Sequence, residues 1–464
     1  MQQEQPNAPG DERFAQLCTL AMQEMERLAV PGVAIGVLDG AHQYMAGLGV
    51  TSIDNPLAVD ADTLFQIGST TKTVTATIAM RLAEQGALSL DEPVRAYVPE
   101  LRLADTDVAD HVTLRHLFNH TGGWAGDYFD DLGNGDDALA RIVERMAALP
   151  QLTPLGTIWS YNNAGFYLAG RVIERVTGLT YEQAAHDLVL APLGMNRSFF
   201  FPADVMTYRF VVGHENSYPP AAPSAEIARP WPLARAAHPA GGISSTVRDQ
   251  LHYARFHMGD GTAEDGTRLL SAASLAAMRQ PSVAAANGEQ MGITWFLHTQ
   301  GGVQLARHGG ATKGQMSAFV LAPTQQFAIT VLTNAARGGE LHQAIVSRAL
   351  QIYLGITEQP PTPLARNAAE LTPYIGRYTA LLADCELRLE GETMMMDYIP
   401  RGGFPAKDSP PAPAPPPVRV AFCGDDAIIA LDEPFRNTRG EFLRDTAGAI
   451  AWLRIGGRIQ RREP

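Results

Sequence analysis

Residues 63–86 read TLFQIGSTTKTVTATIAMRLAEQG, and the organisation of the chain is read outward from them. The stretch turns at Ile67-Gly68-Ser69 and then runs without proline to Gly86, the pattern of a helix with a glycine stop. Residues three apart on a helix share a face, so Lys72 is placed one turn beyond Ser69, beside its hydroxyl. A serine is a poor nucleophile until a base takes its proton, and a lysine does so when burial or neighbouring charge lowers its pKa. A helix start also offers unpaired backbone N–H groups that stabilise an oxyanion. Taken alone, S-x-x-K is also the pattern of an N-cap serine followed by a surface lysine.

Upstream, DERFAQLCTLAMQEMERL (11–28) sets Phe14, Leu17, Leu20, Ala21 and Met25 along one helical face, and Pro31-Gly32 stops it. VAIGVLDGAHQYMAGLGV (33–50) is two apolar runs around Asp39-Gly40, a hairpin signal. Downstream, helical patterns fill about 112–190, with Gly-rich breaks at 122–136, and 205–240 is Pro-rich and irregular. After residue 290 the chain gives four strand-like runs, ITWFLH, VQLARH, MSAFVLA and QFAITVLTN, then a helix, ELHQAIVSRALQIYL. This order predicts an α/β domain over 1–357, an antiparallel sheet flanked by helices with a helical subdomain inserted.

Residues 358–365 have linker composition. Beyond them, 366–464 offers YIGRYTAL, CELRLEG, TMMMDYI, VRVAFCG, AIIALD, GEFLRD and IAWLRIGGRIQRR, the regular short runs of a small antiparallel barrel or sandwich. DSPPAPAPPPV (408–418) interrupts them as an expected solvated polyproline loop.

The chain has 464 residues, 45% hydrophobic, with a net charge of −13, an ordinary core-forming composition. The acidic balance and the lack of basic runs argue against a nucleic-acid or anionic-membrane partner, and no apolar run reaches bilayer-spanning length. The N-terminus has neither a basic start nor an apolar core, so it does not read as a secretory signal. Cys18, Cys385 and Cys423 lack metal spacing and fit a reduced compartment, although the last two lie within reach of one another in a small module. A cytoplasmic enzyme is the expectation.

Two further triplets carry chemistry. Tyr161-Asn162-Asn163 follows Pro154 and Gly156 at the start of a helical pattern. A tyrosine near cations ionises more readily and relays a proton, and Asn163 has the groups to bond both Lys72 and a substrate carbonyl. His308-Gly309-Gly310 closes the run VQLARH; on its own it is a turn after a strand. Glycines there also let a substrate lie along the strand edge, with the Ala311 N–H facing that of Ser69 as a second oxyanion donor. Lys313 reads as a loop charge.

The three triplets in this order resemble the serine β-lactamase-like family, which includes class C β-lactamases, D-Ala-D-Ala carboxypeptidases, D-aminopeptidases and family VIII esterases. TLFQIGSTTKTVTA, LSLDEPVRAYVPEL, VTLRHLFNHTGG, YNNAGFYLAGRVIERVTG, APLGM, PAGGISSTVRD and TVLTN are similar to its blocks, and the likeness covers roughly residues 12–355. The resemblance implies attack by Ser69 on an amide or ester carbonyl, acid–base work by Lys72 and Tyr161, and substrate positioning by Asn163, His308, Gly309, Gly310 and Ala311. It implies no metal or organic cofactor and a small-molecule or short peptide substrate, and leaves monomer and homo-oligomer both open. Penicillin-recognising members usually carry a lysine where this chain has His308, so a peptidase or amidase of D-aminopeptidase type is favoured. An esterase, a β-lactamase and a non-catalytic scaffold follow in that order. Such members often bear a lipocalin-like C-terminal domain, which 366–464 resembles.

His116 and His120 stand four apart, a zinc-compatible spacing, but packing and capping explain them better. The acids Asp127, Asp130, Asp131, Asp136 and Asp137 miss the EF-hand spacing and read as a solvated lid. Trp124, Tyr128 and Phe129 in that loop are cleft candidates.

Overall fold

A computed structural model describes residues 11–218, 222–357 and 361–463; the first ten residues and the first three of the expected linker lie outside the described residues. The helices used below are α1 (Glu12–Leu28), α2 (Thr71–Glu84), α3 (Ala164–Thr177), α4 (Tyr181–Ala185), α5 (His238–Gly241), α6 (Val247–Met258) and α7 (Gly338–Leu354). The strands of the large sheet are β1 (Gly32–Asp39), β2 (His42–Gly49), β3 (Val283–Ala284), β4 (Gln290–Met291), β5 (Phe296–Gln300), β6 (Val303–Thr312), β7 (Gln315–Ala322) and β8 (Phe327–Thr333). Their order is β2-β1-β8-β7-β6-β5-β4-β3, antiparallel throughout.

The expected helix 11–28 forms because Asp11 accepts from the Arg13 N–H at its start, and it ends where Ala29 turns left-handed. Its buried residues Phe14, Leu17 and Ala21 pack with α7 (Leu341, Ile345) on Val33, Ile35 and Val37 of β1. The opposite face of the sheet buries Ala34, Leu38, Phe319 and Leu332 against α2, α6 and the inserted helices. A strand covered on both faces reads as a continuous apolar run, which is why GVAIGVL lacks polar alternation. The fold is the expected helix-flanked antiparallel sheet with a helical insertion.

One local expectation changes. His308-Gly309-Gly310 is not a turn after a strand: β6 continues to Thr312, and the reversal falls at Lys313-Gly314, with Gly314 at φ 70°. Gly309 and Gly310 pair in register with Ala318 and Ser317 of β7, and Ile67 and Ser69 stand so close to Gly310 that no side chain fits there.

The C-terminal module resolves as a closed barrel of β9 (Gly376–Thr379), β10 (Ala383–Glu390), β11 (Thr393–Pro400), β12 (Val418–Phe422), β13 (Ala427–Ala430), β14 (Arg439–Arg444), β15 (Ile450–Ile455) and β16 (Arg458–Arg462). Tyr374, Tyr378, Leu387, Met396, Val420, Phe422, Phe442 and Leu453 fill its interior, as expected for a barrel of this size. The polyproline segment connects β11 to β12 without regular structure and is largely exposed. All three cysteines are free, so Cys385 and Cys423 do not pair.

Between β15 and β16 lies a two-residue turn, Gly456-Gly457, both at positive φ, which the tight hairpin requires. This turn docks on the first domain. Gly457 O accepts from Tyr161 N at 2.8 Å, Ser160 Oγ accepts from Ile459 N at 3.2 Å, and Arg454 donates to Trp159 O at 2.8 Å. Farther out, Lys407 N donates to Phe129 O, and Phe404 stacks edge-on against Phe129.

Among the described residues no helix is long and apolar enough to cross a membrane, and no group of three or more His, Cys, Asp or Glu is placed to hold a metal ion.

Candidate active site

Ser69 sits in a single tight turn, Gly68–Thr70, that runs directly into α2. The turn is pinned from three sides. Ile67 N donates to Ile243 O at 2.9 Å, Ser317 Oγ donates to Ile67 O at 2.7 Å, and the hydroxyls of Thr70 and Ser317 lie 2.9 Å apart. Gly68 adopts φ 49°, and a Cβ built on it would stand 2.7 Å from Ala311 N. A Cβ on Gly310 would stand 2.7 Å from Ser69 N. The backbones of Ser69 and Ala311 are therefore side by side, with Gly310 against the turn.

Lys72 is fully buried one turn beyond Ser69. Its Nζ lies 3.0 Å from Ser69 Oγ, 2.7 Å from Asn163 Oδ1 and 2.6 Å from Ala240 O. Burial pushes its pKa well below the ordinary lysine value; Arg458 reinforces this and Asp127 opposes it. A neutral amine fits these partners. Its two N–H groups meet the two carbonyl oxygens, and its lone pair is left for the Ser69 hydroxyl.

Tyr161 departs from the expectation of easy ionisation. Its ring is buried against His120, with centroids 4.4 Å apart, and burial raises the phenol above its ordinary value despite a hydrogen bond with Ser69 and the nearby Arg458. It is a protonated donor at neutral pH. His308 is buried beside Phe296 and Tyr161, its Nδ1 lies 2.7 Å from Gly309 O, and burial, followed by the proximity of Lys72, brings its pKa down to about 3. It is uncharged.

Asn163 has both ends engaged: Oδ1 accepts from Lys72, and Nδ2 donates to Asp127 Oδ1 at 2.8 Å. The amide oxygen is thereby committed to Lys72, and the second N–H of Nδ2 remains for a substrate carbonyl. Asp127 in turn accepts from Arg458, whose Nε lies 3.1 Å from Oδ2 and whose guanidinium centre sits 4.6 Å from the Tyr161 ring centroid.

The structure brings Ser69, Lys72, Tyr161, Asn163, His308, Gly309, Gly310 and Ala311 to one place. Sequence reasoning missed Ala240, Asp127 and Arg458. The acids of 127–137 do not form a uniformly solvated lid, since Asp127 and Asp130 are withdrawn from solvent. Trp124 is buried in the helical core rather than lining a cleft, and Phe129 faces the barrel. His116 caps its own helix through Thr113, and His120 accepts from Asn162 N. Lys313 pairs with Glu215 at the strand turn.

A family profile described as Beta-lactamase matches residues 19–352. The chain belongs to the beta-lactamase family. Within it, penicillin-binding protein 4 of Amycolatopsis lactamdurans is 36% identical over 357 residues, covering 75% of this chain and 93% of that protein. Esterase EstB of Burkholderia gladioli is 34% identical over 208 residues, 42% of this chain and 52% of the esterase. The crystal structure of SurE superposes with a TM-score of 0.76 at 24% identity, over 98% of this chain and 100% of that one, so the two share a fold along their whole length. This beta-lactamase-family chain is a serine hydrolase.

Proposed function

We propose that this hydrolase is a peptidase or amidase of D-aminopeptidase type, acting on a small-molecule or short peptide substrate through an acyl-Ser69 intermediate. The observation that carries the reading is Lys72, fully buried with its Nζ 3.0 Å from Ser69 Oγ and held by Asn163 Oδ1 and Ala240 O.

Lys72 takes the Ser69 proton as Oγ bonds to the substrate carbonyl carbon, and the N–H groups of Ser69 and Ala311 receive the developing oxyanion. Collapse of the tetrahedral adduct expels an amine, which needs a proton. Tyr161 donates it and is reprotonated from Lys72. Water then attacks the acyl-enzyme, and the same groups run in reverse. A phenol held protonated beside Ser69 suits an amine leaving group, whereas an aryl ester needs no such acid. Uncharged His308 offers no fixed cation for a substrate carboxylate at the place where penicillin-recognising enzymes have one.

The test compares the wild type and Ser69→Ala on a D-alanine p-nitroanilide, a short-chain p-nitrophenyl ester and a chromogenic cephalosporin. Ser69-dependent turnover with the anilide preferred is expected. Preference for the ester or the cephalosporin redirects the assignment to an esterase or a β-lactamase, and no Ser69-dependent turnover or adduct removes the hydrolytic reading.

A further inference from the structure

Two charged side chains at the site have no role in the steps above. Arg458 belongs to the barrel, at the first residue of β16, and Asp127 to the loop between the Leu114–Phe118 and Ala138–Arg145 helices. Arg458 Nε and Nη2 reach Asp127 Oδ2 at 3.1 Å and Oδ1 at 3.4 Å, and the Asp127 side chain is only 10% exposed. Asp127 Oδ1 also accepts from Asn163 Nδ2. An amide whose nitrogen is held by a carboxylate must turn its oxygen the other way, and there it accepts from Lys72.

We propose that Asp127 and Arg458 are a positioning pair, through which the barrel fixes the Asn163 amide and the Tyr161 ring and so completes the active site. The proposal rests on the Ser69–Lys72 reading above. The contacts form a continuous line, Arg458–Asp127–Asn163–Lys72–Ser69, that crosses from one domain into the other. The backbone of Arg458 is held on both sides, by the Gly457 O bond to Tyr161 N and by the Ile459 N bond to Ser160 Oγ. A Cβ at Gly457 would come within 3.1 Å of the Trp159 ring, so the turn sits as close to the first domain as a glycine permits. The cost of breaking the pair falls on Asp127, which is nearly buried, since a buried ion that loses its partner is strongly destabilising, whereas the Arg458 side chain is 38% exposed.

The groups around Lys72 come from four elements. Arg458 of β16 lowers its pKa and Asp127 of the loop raises it, whereas His308 of β6 and His120 after the Leu114–Phe118 helix are held neutral, and Tyr161 keeps its proton. Only the pair brings full charge, and its members act with opposite sign. Removing the cation raises Lys72, so the low-pH limb of Ser69 reactivity moves to higher pH. Removing the anion moves it to lower pH. A purely structural pair cannot produce opposite shifts.

The experiment measures the rate of Ser69 labelling by a fluorophosphonate against pH, read by intact mass, in the full chain. Arg458→Met is expected to move the limb up by about one pH unit and Asp127→Asn to move it down by a similar amount, the size of one neighbouring charge. Asp127→Asn also lowers the plateau at least tenfold, because the Asn163 amide is free to flip. Arg458→Lys restores most of the limb position, and the double variant returns it near the wild type. If wild type is labelled and all variants share its limb and plateau, the pair is structural and the proposal falls alone. If wild type is never labelled, the hydrolase reading falls and takes this with it. Should a single variant lose its melting transition, Arg458→Lys and the double variant decide by the same criterion.

Discussion

Gly310→Ala places one methyl group between the strand that floors the site and the turn that carries Ser69. The new Cβ would stand 2.0 Å from Ile67 O, 2.7 Å from Ser69 N and 2.7 Å from Ser317 Oγ. Two of these are backbone atoms, and Ile67 O is already held by Ser317, so no flexible side chain is available to give way. Restoring an ordinary contact near 3.4 Å requires the turn and β6 to separate by about 1.4 Å. A displacement of about 1 Å in a positioned site costs roughly a hundredfold in rate, or about 2.7 kcal/mol of transition-state stabilisation. Because the shift separates Ser69 N from Ala311 N, it falls on kcat rather than KM. The assay is kcat and KM on the best of the three chromogenic substrates, with a melting curve to confirm the fold. Gly309→Ala is the control, since its Cβ meets only Ser317 O at 3.1 Å and needs a few tenths of an ångström; it should retain activity within about tenfold of wild type. A folded Gly310→Ala protein with more than a third of wild-type kcat would refute the oxyanion geometry described here.

Three other outcomes follow from the packing. Burial pushes the Glu182 carboxyl up, but hydrogen bonds from His238 and Arg235 outweigh it and bring its pKa down to about 2. Its stabilising contribution is therefore complete above about pH 4.5 and is lost as pH falls toward 2, and denaturant unfolding of Glu182→Gln should lose part of that acid dependence along with about 3 kcal/mol of stability. Cys385 is buried with its thiol pushed up to about 12, so an aromatic disulfide reagent should titrate Cys18 and Cys423 in the native protein and Cys385 only after unfolding. Arg454 is nearly fully buried and ties β15 to Trp159 O and Glu441, so Arg454→Met should split a single calorimetric transition into two as the barrel uncouples; one unshifted transition would count against that coupling.

Elements whose cause is local were legible in the sequence. The periodicity of 11–28, the Asp39-Gly40 turn and the Gly86 stop each depend on neighbouring residues, and each stands where it was expected. The triplets around Ser69, Tyr161 and His308 were found because the chemistry restricts residue type as well as place. What stayed hidden depends on distant partners. Asp127 is one of five acids in its loop and differs from the exposed Asp131 because Asn163 and Arg458, both distant in sequence, hold it. The proton affinity of Tyr161 is set by burial under His120 and the barrel turn, so the cation nearby did not make it acidic. The His308-Gly309-Gly310 run looks like a turn because glycine commonly makes one. In the fold its lack of side chains serves close packing within a strand.

The hydrogen bond between Tyr161 and Gly457 also sets an order of events during synthesis. About 300 residues separate its two ends, which a ribosome takes roughly 15 to 60 s to add. Throughout that interval Trp159 and Tyr161 lack the part of their cover that the barrel supplies, and once β4 and β5 have been made, Met291 and Phe296 join them in one apolar cluster beside the docking turn. A nascent chain of this design exposes its reactive centre as a sticky face before it becomes a finished enzyme. Expression at low temperature or with holdase chaperones should therefore raise soluble yield most for variants that delay barrel closure.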